Sequence, residues 1–205
     1  MKCAEVCPSR ALETIGKQMS VSDVLTAVEK DSCFFSRSGG GLTLSGGEPL
    51  AQADFAVALL KAAKAIGMDT AVETSGYVEW GVFGEASRYI DTIIYDIKCV
   101  DPLKHQKFTG VSNYRILANF RKLCLIFSNV PKVVRTPVIP GFNDGPGEIE
   151  SIARFLMSFP NVKHELLPYH SFGEHKYLFI GRQYKLTGVK PPTGERMTLL
   201  RDFAN

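Results

Sequence analysis

Two glycines followed by an acid form a candidate ligand loop. Ser45, Gly46, Gly47 and Glu48 come directly after a β-rich run, so the chain leaves a strand through residues that have no side chain. Glycine adopts backbone conformations closed to other residues and lets amide and carbonyl groups approach a ligand closely. Glu48 then adds an acceptor at the same place. A tight strand-to-helix turn, with Glu48 favoured by the helix dipole, explains these residues equally well.

Charged residues close two further β-rich runs. Glu73 and Thr74 end one of them, and Asp96 and Lys98 end the next. Asp96 and Lys98 are two residues apart, so on one strand they face the same side. Opposite charges there suit a zwitterionic, amino-acid-like ligand, although an exposed ion pair of little energetic consequence is the simpler reading of that pair alone.

Two more residues extend this pattern. Arg135 lies in the apolar run VVRTPV, where an obligate cation needs a partner or an anion. His170 follows the run ELLPY, where it could stack on or hydrogen-bond a ligand, although a lone histidine is more often structural. Because polar groups close five runs in this way, a small-molecule site is favoured over the separate structural explanations.

The cysteines indicate metal ligands or free thiols. Their count is odd and no secretory signal precedes them, which argues against a disulfide framework. Cys3 and Cys7, with Pro8, fit the last third of the iron–sulfur run C-x2-C-x2-C-x3-C-P, in which thiolates bind the cluster irons. The other cysteines, Cys33, Cys99 and Cys124, are most simply small apolar residues.

An alternating α/β scaffold positions these residues. Helical periodicity begins at Val21 after a capping box from Ser20 to Asp23, and further helical patterns separate the β-rich runs. This alternation predicts right-handed crossovers and a parallel sheet, either an open doubly wound sheet or a barrel. In both architectures the ligand site lies at the carboxyl ends of the strands. Five strands are too few for a closed eight-stranded barrel. The predicted strands are 41–44, 70–74, 92–98, 132–139 and 163–170.

Composition narrows the function classes. The 205 residues are 45% hydrophobic and carry a net charge of +3, which suits one globular domain. Lys and Arg are scattered, so nucleic-acid binding is disfavoured. No apolar run is long enough for a membrane helix, and the beginning has no signal-peptide core. We therefore expect a cytoplasmic protein.

Seven blocks in a fixed order resemble a known family. The chain is similar to glycyl-radical-enzyme activating enzymes of the radical S-adenosylmethionine superfamily, of which the pyruvate formate-lyase activating enzyme is the best known. The resemblance extends from about Ser20 to Pro192. The blocks are SGGGLTLSGGEPL, AVETSGY, IIYDIK, FTGVSN, VVRTPVIPGFND, ELLPYH and YKLTGVKPP.

The resemblance implies a fold and a radical reaction. The fold is a partial (β/α)6 barrel with flanking helices. In the family a [4Fe–4S] cluster, supplied with electrons by flavodoxin or ferredoxin, passes an electron to S-adenosylmethionine. The resulting 5′-deoxyadenosyl radical abstracts hydrogen from a glycine of the partner glycyl radical enzyme.

The resemblance also implies cofactor contacts. Three residues match the loop that binds the amino group of S-adenosylmethionine, three lie around its carboxylate, where related enzymes also hold a monovalent cation, and three match other cofactor contacts. The family often has Asp where this chain has Glu73, so the resemblance gives weaker support for a cation site at this residue. In that order the residues are Gly46, Gly47 and Glu48; Glu73, Thr74 and Asp96; and Lys98, Arg135 and His170.

The chain departs from the family at its N-terminus. The signature C-x3-C-x2-C, which holds the catalytic cluster, is missing, because Arg10 takes the third place after Cys3 and Cys7. We therefore expect residues 1–14 to be the remnant of a ferredoxin-like iron–sulfur insert. Residues 15–205 are expected to form the partial barrel without its first strand, and the chain alone is expected to be inactive.

Two other functions remain open at this stage. The chain could be a non-catalytic module that binds S-adenosylmethionine or a protein partner. It could also be a barrel enzyme with ordinary acid–base chemistry at Glu48, Glu73 or Asp96, although no nucleophile–base pair is evident.

Overall fold

The computed structural model describes the backbone of residues 2–204 and the side chains of residues 3–204. The strands are β1 (Gly41–Leu44), β2 (Asp69–Thr74), β3 (Thr92–Asp96), β4 (Lys132–Val138) and β5 (Val162–Pro168). The helices are α1 (Lys2–Glu5), α2 (Val21–Glu29), α3 (Ser32–Ser38), α4 (Ala53–Ala65), α5 (Trp80–Ser87), α6 (Pro102–Thr109), α7 (Tyr114–Ile126), α8 (Pro146–Leu156), α9 (Glu174–Phe179) and α10 (Gly194–Asp202), with a 3₁₀ helix at Pro49–Gln52.

The five strands form one parallel sheet in the order β1-β2-β3-β4-β5. This confirms the predicted α/β architecture, a partial barrel of five parallel strands with flanking helices. Three strands end earlier than predicted, β3 and β5 by two residues and β4 by one. Lys98 and His170 therefore lie in the loops that follow β3 and β5. After β3 the carbonyls of Lys98 and Cys99 accept hydrogen bonds from the Asn143 and Asn113 side chains instead of joining a ladder.

The two faces of the sheet differ in polarity. On β4, Val134, Thr136 and Val138 are buried beneath the helices, whereas Arg135 lies on the opposite, partly exposed face. The main core fills the space between the helical face and α4, α5, α7 and α8. Period-2 side-chain alternation therefore leaves the other face free to carry charged groups along the sheet.

The helices include one predicted feature and one that was not predicted. The predicted capping box is present: Ser20 Oγ accepts from the Asp23 amide, and the Asp23 carboxylate accepts from the Ser20 amide at 2.8 Å. Helix α10, which the sequence analysis did not predict, buries Met197 and Leu200 in a second core with Leu166. None of the described helices is long and apolar enough to cross a membrane.

The N-terminal segment has little regular secondary structure. Between residues 6 and 20 the structure assigns neither helix nor strand. Cys3 is exposed on α1 and Cys7 is half-buried, and both are free thiols. Within residues 2–204 no group of three or more His, Cys, Asp or Glu side chains is arranged to hold a metal ion. The assignments of Cys3 and Cys7 as cluster ligands, and of residues 1–14 as an insert remnant, stay predictions.

Acidification is expected to destabilise the fold through the buried His105 and the partly buried His164. Burial lowers the pKa of His164 and of His105 below the ordinary value of 6.5. The unfolded chain therefore binds more protons below that value, and stability is lost as the pH falls from about 7.5 to about 5.5. Urea unfolding of the wild type and His164→Gln at both pH values tests this, because the variant should lose less stability. An equal loss in both proteins would contradict the assignment to His164.

Candidate functional site

A polar cavity of about 230 Å³ opens at the carboxyl ends of β1, β2 and β3. This is the predicted location, because parallel strands end at the same edge of a sheet. Six of the nine predicted cofactor-binding residues line the cavity, and Ser45 and Ser75 complete the lining. The six are Gly46, Gly47, Glu73, Thr74, Asp96 and Lys98.

The glycine loop leaves space beside its backbone. Gly46 has φ +119°, a conformation that residues with a side chain rarely adopt, and this confirms one half of the prediction. Gly47 does not have a positive φ, so for it the conformational prediction is wrong. At both positions an added Cβ would meet no atom within 4 Å. A ligand can therefore lie directly against this backbone.

Glu48 holds the glycine loop to the end of β2. Its Oε1 accepts from Thr74 Oγ1 at 2.7 Å and from the Leu50 amide at 3.3 Å. Its Oε2 accepts from the Ser75 amide at 3.0 Å and from Ser75 Oγ at 2.7 Å. A carboxylate has about four acceptor positions, and all of them are taken. Glu48 therefore shapes the cavity, and its assignment to the amino group of a ligand stays a prediction.

Glu73 faces the cavity with both oxygens hydrogen-bonded. Ser45 Oγ donates to Oε2 at 2.8 Å, and Arg135 Nη1 donates to Oε1 at 2.8 Å. Arg135 therefore has the partner that its apolar sequence context required, and it contacts the cavity wall through Glu73.

Lys98 and Asp96 form the expected pair. Lys98 Nζ lies 2.8 Å from Asp96 Oδ2, and the two side chains are 29% and 27% exposed. Both line the cavity, which distinguishes them from an ordinary surface ion pair. The site therefore presents an ammonium and a carboxylate side by side, next to open backbone.

His170 lies outside this cavity. It is exposed in the loop after β5, and its ring packs against that of Phe172 in a tilted arrangement, with centroids 4.5 Å apart. The structure thus brings eight of the nine predicted residues into one connected site and leaves His170 outside it.

Sequence reasoning missed the buried amides that fix the loops. Asn119 Nδ2 donates to the carbonyls of Gly76 and Val78 after β2. Asn143 Nδ2 donates to the carbonyls of Lys98 and Pro137, and its Oδ1 accepts from the Ile139 amide. Buried backbone groups must be paired, so these amides fix the cavity walls. An asparagine among the apolar residues of α7 was the available signal.

Comparisons with known proteins match most of the chain to one superfamily and to activating enzymes within it. Residues 6–156 match the Radical SAM superfamily. The isethionate sulfite-lyase activating enzyme of Desulfovibrio desulfuricans is 52% identical over 91% of this chain and 60% of that protein. The choline trimethylamine-lyase activating enzyme of Oleidesulfovibrio alaskensis is 39% identical over 88% of this chain and 59% of that protein. The chain thus spans about 60% of the length of these curated relatives.

A solved structure agrees in fold. A domain of the pyruvate-formate lyase-activating enzyme from Bacteroides vulgatus superimposes with a TM-score of 0.65 at 29% identity. The similarity covers 80% of this chain and 92% of that domain.

Proposed function

This chain belongs to the Radical SAM superfamily, and on that premise we propose that it forms the S-adenosylmethionine-binding barrel of a glycyl-radical-enzyme activating enzyme. The observation that carries the proposal is the cavity at the strand ends, where the open backbone of Gly46 and Gly47 adjoins the Asp96–Lys98 pair. The methionine part of S-adenosylmethionine is zwitterionic, so adjacent opposite charges fit it. The bound cofactor supplies the radical chemistry, and the protein positions it.

The described residues have distinct roles in this proposal. In this proposal Lys98 binds the carboxylate of the methionine part, and Gly46 and Gly47 offer backbone groups to its polar atoms. The support is that all three residues line the cavity. Glu48 keeps the glycine loop in place through Thr74 and Ser75. His170 is a peripheral contact that reaches the cofactor only where the ligand extends beyond the cavity.

The catalytic [4Fe–4S] cluster does not fit the described residues. Within residues 2–204 no suitable group of ligands is present, and the 205 residues contain no C-x3-C-x2-C. Our proposal is that the chain binds the cofactor and that radical formation requires a further set of cysteines.

Removing the Lys98 ammonium is expected to weaken cofactor binding. Lys98→Ala deletes a charge-assisted hydrogen bond, so the Kd for S-adenosylmethionine should rise about tenfold. Isothermal calorimetry measures this change. Lys61→Ala, an exposed lysine on α4, is the matched control and should bind like the wild type. Unchanged affinity in Lys98→Ala would remove Lys98 from the site.

Anaerobic reconstitution with iron and sulfide tests whether this chain binds S-adenosylmethionine without forming the catalytic cluster. We expect S-adenosylmethionine binding without a stoichiometric cluster and without release of 5′-deoxyadenosine. Stoichiometric cluster formation and cleavage would show that an unrecognised ligand set, including Cys3 and Cys7, is sufficient. The proposal of a non-catalytic module predicts the same binding, but it also predicts that a longer form carrying C-x3-C-x2-C would not activate a partner.

For the protein partner we propose an isethionate sulfite-lyase. The support is the higher identity to an activating enzyme of that lyase, 52%, than to one of choline trimethylamine-lyase, 39%. Biolayer interferometry with both lyases, held anaerobically, should show tighter binding to the first. Equal or reversed preference would contradict this assignment.

We also propose that the protein is cytoplasmic. The support is that all five cysteines are free thiols, which suits a reducing compartment.

A further inference from the structure

A line of alternating charges crosses the exposed face of the sheet. Glu73 on β2 binds Arg135 on β4 at 2.8 Å, and Arg135 Nε lies 3.5 Å from Glu165 Oε2 on β5. Lys163 Nζ in turn binds Glu165 Oε1 at 2.8 Å. Arg135 and Glu165 are register partners on neighbouring strands, so the backbone itself places their side chains together.

This arrangement leaves Arg135 fixed between two carboxylates. Its side chain is 29% exposed, as is that of Glu165. A hydrogen bond from Lys163, assisted by the one from Arg135, holds the pKa of Glu165 below its usual value, so Glu165 stays charged. The guanidinium has five N–H donors, and the two bonds to Glu73 and Glu165 use two of them.

A metal cation at Glu73 does not fit this geometry. Related enzymes hold a monovalent cation near the corresponding position. Here Arg135 and Ser45 already donate to the two Glu73 oxygens. A second cation on this carboxylate would lie within a few ångströms of the guanidinium, and like charges that close repel strongly in a partly buried site.

We infer that the guanidinium of Arg135 takes the place of a monovalent metal cation at Glu73, and that Glu165 is the positioning residue that holds it there. The inference rests on the proposed cofactor site, whose wall Glu73 forms. The remaining donors of Arg135 are free to bridge Glu73 and a ligand carboxylate, which a metal cation would otherwise do. The site then needs no added Na⁺ or K⁺.

Cofactor affinity in different salts tests this inference. For the wild type, the Kd for S-adenosylmethionine in NaCl, KCl and tetramethylammonium chloride of equal ionic strength should agree within about twofold, because screening is the same. Arg135→Gln should weaken binding about tenfold or more in tetramethylammonium chloride, and Na⁺ or K⁺ should restore part of the loss. Arg135→Lys keeps a cation and should stay insensitive to the salt. Cation dependence in the wild type, or none in Arg135→Gln, would overturn the inference.

A ligand-free measurement separates this inference from the proposed function. The linewidth of the sodium-23 resonance should show no sodium site at Glu73 in the wild type, so Glu73→Gln should leave this signal unchanged. Arg135→Gln should broaden the signal, and adding Glu73→Gln should abolish that broadening. If the wild type broadens the signal and Glu73→Gln removes that broadening, the inference that Arg135 replaces a metal cation is refuted. Failure of the wild type to bind S-adenosylmethionine would instead refute the cofactor site.

The role of Glu165 has its own spectroscopic test. The Nε–H resonance of Arg135, assigned by its loss in Arg135→Lys, should exchange slowly with water in the wild type. Glu165→Gln should speed this exchange by about tenfold or more, because the carboxylate that accepts from Nε is gone. Glu150→Gln, in the exposed Glu150–Arg154 pair of α8, is the control and should leave it unchanged. Equal exchange in Glu165→Gln would show that Glu165 does not position Arg135.

Discussion

Alanine at Gly76 is expected to destabilise the protein by about 3 kcal/mol, from overpacking together with the cost of a left-handed backbone. Gly76 has φ +68°, and an added Cβ would lie 1.8 Å from the hydroxyl oxygen of Tyr95. Tyr95 cannot easily move away. Its ring is fully buried, packs 5.1 Å from that of Phe120, and its hydroxyl donates to the Ile116 carbonyl at 2.7 Å. Burial raises the pKa of Tyr95 well above the usual range, so this hydroxyl stays a donor.

Urea unfolding of Gly76→Ala and Gly81→Ala measures this effect. An added Cβ at Gly81, inside α5, would meet no atom within 4 Å. Alanine there should raise stability by about 0.5–1 kcal/mol, because helical glycine is entropically costly. Opposite signs for the two variants are the expected result. A Gly76→Ala variant as stable as the wild type would show that the turn after β2 relaxes to accommodate the side chain.

Asn143→Asp is expected to cost about 4 kcal/mol at neutral pH, because it buries a charge and removes two donors. Asn143 is fully buried. Its Nδ2 lies 2.8 Å from the Lys98 carbonyl and 2.9 Å from the Pro137 carbonyl, so a carboxylate oxygen in that place would face two acceptors. Since the Asp would be harder to ionise in the fold than in the unfolded chain, the deficit should grow as the pH rises from about 4 to about 7.

Asn143→Asp is also expected to affect the candidate cofactor site. Asn143 holds the backbone of Lys98, which lines the cavity. We therefore expect Asn143→Asp to weaken S-adenosylmethionine binding under conditions in which the variant is folded. Asn129→Asp, on an exposed residue, is the matched control and should remain within about 0.5 kcal/mol of the wild type. Full stability of Asn143→Asp would show that the hydrogen bonds from Asn143 do not hold the backbone at Lys98 and Pro137 in place.

Local sequence patterns were sufficient for the architecture. The alternation of apolar residues in β4 and the capping box at Ser20 depend on neighbours only a few positions away. Strand number, parallel pairing and the edge that carries the site follow from such patterns together with the chirality of crossovers. The Gly46 conformation follows from its residue type. These features were predicted correctly because the information that determines them is local.

Hydrogen-bond partners required the tertiary structure. The residue type of Glu48 predicts an acceptor at the cavity, but its contacts with Thr74 and Ser75, 26 and 27 positions away, are visible only in the structure. Arg135 was expected to need a partner, but the choice of Glu73, 62 positions away, depends on how strands β2 to β4 are registered. Residue types thus determined which groups could do chemistry. Only the packing of the strands decided which charges neutralise one another and which remain available to a ligand, because charge pairing depends on distances that no local pattern encodes.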